Sequence, residues 1–474
     1  MAKIVFIQNI KYPFFGVMSI SALLKKYNHF VDAFITDKIN EEILNFLKVN
    51  NPDYIGFSIM TGNHIWAINS SEIIKNNSIL SKIIFGGVHP TIFPEIIENK
   101  NVDIICQGEG EYPLLELLNN SDKKIFKTNI KNLWFKDENE IIKNDLRSPM
   151  ENLDELPFPD RSIYYKYKYF ITKNAEFNSS RGCPYICSFC SSKIINTITG
   201  RNKKKYFTTK SPVYFVTEIE NAVKQYPFIK RINFINEVFS YDDNWFYSFL
   251  ELYVLKIKLP FVVFLRVDMI DEKKIKTLQE SGCELVLFGV ESGNEKIRKK
   301  ILKKNISDKA FIDASNWFHK YKLDFITSNI VGLPSENLEE ALDTVRFNIL
   351  LKPEITVCSL LMPYPKTDIT DMAYEQGLIP LINPNDIDLT FYKDTMLNLP
   401  HKKEIVNLQR LFLIFSKYPF VFYCFKNVLL KAPNNIIFDW LFLLSYFFYQ
   451  KIMYQRNYFE TLKFGLMNFK LFKK

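Results

Sequence analysis

Histidine and cysteine are both scarce in this chain, at 5 and 7 copies among 474 residues, and the scarcity narrows the chemistry it can support. Three cysteines cluster (Cys183, Cys187, Cys190) and four are scattered (Cys106, Cys283, Cys358, Cys424), which is not the dense, even framework of a secreted disulfide scaffold. A reducing cytoplasm is the expected compartment. The opening MAKIVFIQNI lacks the basic start, long apolar stretch and small-residue cleavage site of a signal peptide, reads as a buried strand, and predicts no export. Residues 1–400 carry no charge excess, with 49 Lys or Arg against 49 Asp or Glu. The whole net charge of +9 sits in residues 401–474, which hold 12 basic and 3 acidic residues together with 20 aromatics.

A long uninterrupted apolar run is also missing. The most apolar stretch, 436–449 (IIFDWLFLLSYFFY), is broken by Asp439 and Ser445 and falls short of the roughly 20 residues of a spanning helix, so it reads as interfacial or buried. Two readings of the tail follow: a helical subdomain packing its aromatic face on the main body, or a peripheral contact with a membrane or a lipid-like substrate. Its aromatics run in apolar blocks instead of alternating with basic residues, which argues against a nucleic-acid partner.

What is present is length enough for two or three domains with substantial cores, at 47% hydrophobic residues. In the first 120 residues, short apolar runs at 4–9, 31–36, 54–59, 82–87 and 104–109 alternate with stretches long enough for helices at 19–27, 41–49, 64–76 and 91–98. Buried strands separated by helices predict an α/β fold with a doubly wound parallel sheet, whose ligands bind beyond the carboxyl ends of the strands. Those ends carry Tyr12 and Pro13, then Ser58 and Thr61, then GGVHPT (86–91) and GEGE (108–111). Gly86 and Gly87 would let a bulky ligand approach the backbone, and Ser58 and Thr61 offer hydroxyls.

The spaced set IGFSIMT, FGGVHPT and VDIICQGEGE resembles the cobalamin-binding domain that precedes many radical S-adenosylmethionine enzymes, over residues 1–145. The resemblance implies cobalamin contacts from Tyr12, Pro13, Ser58, Thr61, Gly86, Gly87, His89, Thr91, Gly108 and Glu109. The D-x-H-x-x-G loop that supplies a histidine to cobalt in other cobalamin proteins is absent after the first strand, where QNIKYPFFG stands, so cobalamin is expected to lack a histidine lower ligand. His89 belongs to the family's loop pattern, and a lone histidine is more often a hydrogen-bonding residue than a ligand. His64 is read the same way.

A linker is expected at 146–170, where the prolines of PFPDRSIYY (157–165) interrupt helix. The next segment, NSSRGCPYICSFCSS, brings Cys183, Cys187 and Cys190 into one loop, and soft thiolate ligands suit an iron–sulfur cluster or zinc. A closed zinc site would want a fourth Cys or His nearby, and none stands close in sequence. C-x-x-x-C-x-x-C, with Phe189 before its last cysteine, resembles the signature of the radical S-adenosylmethionine superfamily. The resemblance implies a 4Fe-4S cluster whose open iron is chelated by S-adenosylmethionine. An electron from the cluster then cleaves a sulfonium carbon–sulfur bond, giving methionine and a 5′-deoxyadenosyl radical.

Strands expected at 177–180, 231–236, 261–267, 285–292, 326–334 and 356–363, separated by helices such as 271–281 and 307–320, predict a partial β/α barrel over 171–385, followed by a basic, aromatic-rich helical region at 386–474. Barrel sites of this kind lie at strand carboxyl ends. In the resemblance, S-adenosylmethionine is held by Phe189, Asn236, Glu237, Arg266, Glu291, Ser292, Ser328 and Gly332. Two departures from the family stand out: Asn236 and Glu237 replace an acidic pair, and Lys366 replaces a glycine in PYPKT. Cys283 and Cys358 read as small packing residues.

The function expected is a cobalamin-dependent radical enzyme that draws on an external electron donor and methylates an unactivated carbon of a small-molecule or lipid-like substrate. Radical oxidation, cyclisation or rearrangement without methyl transfer is the alternative within the class. A non-catalytic iron–sulfur sensor or binding protein is the alternative outside it.

Overall fold

The computed structural model describes residues 1–468 except 126, 138–139, 202–206, 240, 388–393 and 434. The chain divides into two compact units, the first made of Met1–Thr172, Ser192–Lys210 and Asn383–Leu389, the second of Lys173–Ser191, Ser211–Ile382 and Thr390–Lys474.

In the first unit, β1 (Lys3–Gln8), β2 (Phe30–Ile35), β3 (Tyr54–Ser58), β4 (Lys82–Gly86), β5 (Ile104–Cys106), β6 (Leu133–Asp137) and β7 (Glu140–Ile142) form one sheet in the order β2-β1-β3-β4-β5-β6-β7. The first five strands are parallel and the last two antiparallel. Alternation along the strands supplies two cores. Ile4, Phe6 and Ile84 face one side, and Val5, Ile7, Phe57, Ile83 and Phe85 face the other. Gly56 lets the Phe6 ring lie across β3, because a Cβ there would meet that ring at 2.7 Å. The strand order reverses at β1, so the crevice between the carboxyl ends of β1 and β3 is the switch point where such sheets take ligands.

The β6–β7 hairpin lies outside the strands read from sequence. The helix expected at 91–98 is instead a short helix, Val88–Ile92, and a 3-10 turn, Pro94–Glu98. Pro94 cannot donate a backbone bond and disfavours helical geometry at Phe93, which stands at φ −124° and ψ 69°. The segment expected as a linker packs into the first unit's core through Leu156, Ile163 and Tyr164. Asp160 accepts from Ser21 Oγ and pairs with Lys25 Nζ, both at 2.6 Å, and Tyr164 donates to Gln8 Oε1 at 2.6 Å.

The second unit carries β8 (Asn174–Phe177), β9 (Arg231–Phe234), β10 (Phe261–Leu265), β11 (Cys283–Glu291), β12 (Asp324–Val331) and β13 (Ile355–Leu360), all parallel and hydrogen-bonded in sequence order. Helices such as Pro212–Gln225, Asp243–Lys256 and Asp308–Lys320 cover one face with a phenylalanine-rich core. The expected strand at 177–180 ends at Phe177, because Asn178 Oδ1 accepts from the Ser180 N–H at 2.9 Å and turns the chain.

Four further helices follow: Lys402–Lys417, Pro419–Lys431, Ile436–Tyr454 and Tyr458–Asn468. They pack on the second unit through Phe415, Phe422, Leu430, Phe438 and Met453. The scattered cysteines Cys106, Cys283 and Cys358 are buried among apolar side chains, whereas Cys424 is exposed.

Burial works against ionisation of Asp160, but hydrogen bonds from Lys25, Ser162 and Ser21 outweigh it and hold its carboxyl below the ordinary aspartate range. Its contribution is therefore present above the unfolded value and lost as pH falls through the folded one. We expect Asp160→Asn to lower stability by about 1–2 kcal/mol at neutral pH. Denaturant melts of wild type and variant should converge once pH drops well below about 4.

Candidate active site

Because every strand of the second sheet runs the same way, the loops that leave β8, β9, β10, β11 and β12 emerge on one edge. The cysteine loop leaves β8, Asn236 follows β9, Arg266 follows β10, Glu291 ends β11 and Gly332 follows β12. The cysteine loop is held by Ser188, a buried residue absent from the sequence reading. Its hydroxyl donates to Ile301 O at 2.6 Å, its N–H to Leu302 O at 3.0 Å, and its carbonyl accepts from the Ile369 N–H at 3.1 Å.

Cys183, Cys187 and Cys190 are half-buried and close enough to perturb one another electrostatically. Burial, followed by the charges of Cys190, Cys187 and Glu237, pushes the Cys183 thiol up to about 11, although a backbone N–H at Tyr185 opposes the shift. Burial raises Cys187 as well, against the opposing charges of Lys304 and Arg266. Among the described residues no group of three or more His, Cys, Asp or Glu side chains converges on a single metal position. The donor set nevertheless fits a cluster with one open iron: three thiols on one loop, with two cations beside Cys187 to favour the thiolate.

Arg266 is fixed from three sides. Its guanidinium makes paired contacts with Asp268 at 3.1 and 2.9 Å, lies 3.4 Å from the centre of the Tyr185 ring, and approaches Cys187 Sγ at 3.9 Å. Glu291 stands at φ +63°, a left-handed conformation costly for a residue with a side chain. Its carboxylate folds back over Gly289, where a Cβ would lie 1.8 Å from Oε1, and receives Lys304 Nζ at 2.9 Å. Lys304 also donates to Gly289 O at 2.7 Å. Tyr185, Asp268, Gly289 and Lys304 were not among the expected site residues: Tyr185 occupies an unspecified position of the cysteine motif, Gly289 stands two residues before Glu291, and Asp268 and Lys304 lie in no motif.

The remaining expected residues fall unevenly. Asn236 Nδ2 donates to Ser179 Oγ and Ser180 Oγ at 2.7 Å each, and its Oδ1 is buried without a partner among the described residues. Glu237 and Ser328 are exposed, Ser292 is fully buried, and Phe189 packs against the core. Gly332 stands at φ +78° and donates, with Leu333, to Glu336 Oε2. Lys366, where the family has glycine, still adopts a left-handed φ of +67°.

In the first unit, Tyr12 and Pro13 follow β1, Ser58 ends β3 and Thr61 lies beyond it, and GGVHPT and GEGE follow β4 and β5. Gly87 is demanded by neighbouring backbone: at φ +96° a Cβ would come within 2.8 Å of Ile59 O. His89 is buried, with Nδ1 3.0 Å from Thr61 Oγ1 and its ring stacked on His64 at 4.1 Å between centroids. His64 Nε2 lies 2.9 Å from Asn385 Oδ1, and burial lowers its pKa. Thr91 Oγ1 donates to Gly87 O and accepts from the Gly108 N–H, which ties the β4 and β5 loops together. Glu109 pairs with Arg201 at 2.6 Å and accepts from the Met150 N–H at 2.8 Å. Both histidines are thus engaged by protein partners.

These two sites define an enzyme of two cofactor domains, and comparison with known proteins places it. Residues 177–347 match the radical SAM superfamily and residues 11–118 the B12 binding domain. The chain belongs to the cobalamin-binding radical S-adenosylmethionine enzymes, and its cofactors are a 4Fe-4S cluster, S-adenosylmethionine and cobalamin. It is 27% identical over 358 residues to an uncharacterized methyltransferase of Pyrococcus horikoshii, covering 74% of this chain and 76% of that one. It is 24% identical over 425 residues to the anaerobic magnesium-protoporphyrin IX monomethyl ester cyclase of Rubrivivax gelatinosus, covering 82% and 72%. Its fold resembles TsrM of Kitasatospora setae, a radical S-adenosylmethionine methyltransferase solved with cobalamin and a 4Fe-4S cluster, at TM-score 0.63, 14% identity and 79% and 75% coverage. It also resembles apo OxsB, a cobalamin-dependent radical enzyme, at TM-score 0.68, 17% identity and 99% and 75% coverage.

Glu336 supplies a pH test of this loop. Burial pushes its carboxyl up to about 8, against the backbone N–H groups of Leu333 and Gly332, which favour the charged form. The folded state then holds a proton that the unfolded chain, near 4.5, has released. Its contribution to stability is full below the unfolded value and declines as pH rises toward 8. We expect Glu336→Gln to flatten that decline in melting temperature between pH 5 and 8, relative to wild type.

Proposed function

We propose that this enzyme transfers a methyl group to an unactivated carbon of a small-molecule substrate. The observation that carries the reading is the pairing, in one chain, of a three-thiol loop guarded by Arg266 and Lys304 with a B12-binding domain whose strand-end loops carry the residues named above. When bound, the cluster supplies the electron that opens S-adenosylmethionine to a carbon radical, and cobalamin supplies a transferable methyl group.

Cys183, Cys187 and Cys190 are assigned as the cluster ligands. Arg266, immobilised by Asp268 and Tyr185, presents a fixed guanidinium to a carboxylate, and Glu291, steered by Lys304, presents an acceptor to an amine or ribose hydroxyl. Asn236, Glu237, Ser292, Ser328, Gly332 and Phe189 complete the proposed S-adenosylmethionine site. The residues named above after β1, β3, β4 and β5 are assigned to cobalamin. Of these, His89, Thr91 and Glu109 act by holding loops, because their polar atoms already have protein partners. An external donor supplies the electron, and the clustering of three cysteines with four others scattered along the chain supports a reducing cytoplasm. A lipid-like substrate or a peripheral membrane contact would fall to the C-terminal helices.

Cyclisation without methyl transfer is the second reading, favoured by the likeness to the Rubrivivax cyclase over 82% of the chain. Anaerobically reconstituted protein, given S-adenosylmethionine and reductant, should release 5′-deoxyadenosine, and Cys187→Ala should abolish it. A full cluster without that product would mean a sensor. Label from the methyl of S-adenosylmethionine should appear in the product, whereas an unlabelled, rearranged product would replace methyl transfer by the second reading.

Gly289→Ala drives a Cβ into the space of the Glu291 carboxylate while the site is otherwise retained. It should weaken S-adenosylmethionine binding by about tenfold, the scale of one charged hydrogen bond. Equilibrium dialysis measures this, with cluster absorbance unchanged.

A further inference from the structure

The helix Ile436–Tyr454 is long and apolar enough by composition to cross a membrane, yet only 17% of its most apolar window is buried. Both of its ends are tied to the second unit. Near its start Phe438 is buried and Asp439 pairs with Arg410 at 2.9 Å. At its end Arg231 donates to Met453 O at 2.5 Å, Asn174 to Tyr454 O at 2.7 Å, and Gln455 to Glu284 at 2.6 Å. A helix held at both ends lies along the unit it packs on, so its outward face, and not its length, meets the surroundings.

That face is apolar. Ile437, Trp440, Leu444 and Phe448 recur at helical spacing and are all exposed, Trp440 by 59%. The preceding helix exposes Phe420, Tyr423 and Val428, and the following one Tyr458 and Phe459, while their partners Phe422 and Leu430 are buried. So many exposed large apolar side chains on one region mark an interaction surface. Its charge selects the occupant. The three carboxylates of residues 401–474 are engaged locally: Glu404 beside His401, Asp439 on Arg410, and Glu460 on the Asn457 N–H. Lys451 lies 3.8 Å from the ring centre of the exposed Tyr458, and Lys426 lies 5.3 Å from that of the buried Phe422, so cations accompany this aromatic region.

We propose that the C-terminal helices form a docking surface for an anionic lipid bilayer, lying in its interface with aromatics inserted and lysines at headgroup level. This rests on the peripheral-contact reading above and is independent of the radical chemistry. It is tested by flotation of the full-length protein with vesicles of phosphatidylcholine alone or with phosphatidylglycerol. Wild type should float with the phosphatidylglycerol vesicles. Trp440→Glu/Leu444→Glu/Phe448→Glu and Lys426→Glu/Lys431→Glu/Lys451→Glu should each reduce partitioning by about tenfold or more, with unchanged melting temperature and unchanged 5′-deoxyadenosine release in solution.

Wild-type protein that stays off the vesicles, floats equally on phosphatidylcholine, or is matched by both variants would overturn the proposal. Self-association of wild type without flotation, lost in the apolar triple variant, would assign the face to a second copy instead. Loss of deoxyadenosine release in wild type itself would count against the radical reading and leave the flotation result standing.

Discussion

The common direction of the six strands of the second sheet is the constraint on which the rest depends. Parallel pairing sends every β-to-α loop to one edge, so residues from Cys183 to Gly332, far apart in sequence, meet there. The register also sets the local strain. Between Gly289 and Glu291 the pairing of β11 with β12 shifts, Glu291 takes a left-handed backbone, and its carboxylate returns over the one residue that has no side chain to obstruct it.

A second layer of contacts turns this edge into a site. Ser188 pins the cysteine loop to Ile301 and Leu302, and the same stretch delivers Lys304 to Glu291. Arg266 is stacked, paired and aimed by Tyr185 and Asp268 before any ligand arrives. Pre-positioned charge of this kind spares the reorganisation that a flexible guanidinium would undergo on binding. The first unit behaves likewise. Thr61, His64, His89 and Asn385 engage one another through hydrogen bonds and ring stacking, which ties the loops after β3 and β4 together.

Much of this was legible beforehand, for identifiable reasons. Buried parallel strands read as short apolar runs, so β1 to β5 and β8 to β13 could be located within a few residues. Clustered cysteines announce themselves by spacing alone. The β6–β7 hairpin was missed because its strands are short and its second strand is half exposed. The turn at Asn178 and the break at Pro94 came from single side chains acting on the local backbone, which a hydrophobic pattern does not register. The tail divided its evidence evenly. Its inner face packs, as one reading held, and its outer face remains apolar, as the other required.

Sequence by itself placed three thiols on one loop, a local property of the chain, and the resemblance of their spacing to the radical S-adenosylmethionine signature implied the class of chemistry. Sequence likewise determined the strand and helix alternation and the loss of the histidine loop after β1. Only the tertiary structure decided which polar residues serve the site and which serve the fold. His89, Thr91 and Glu109 sit in recognisable motifs yet spend their polar atoms on neighbouring loops, while Lys304 and Asp268 sit in none and, with Tyr185 at an unspecified position of the cysteine motif, shape the surroundings of the thiols. The reason is physical: a buried polar group takes whatever partner the packing places within hydrogen-bond reach, and that partner is usually far away in sequence.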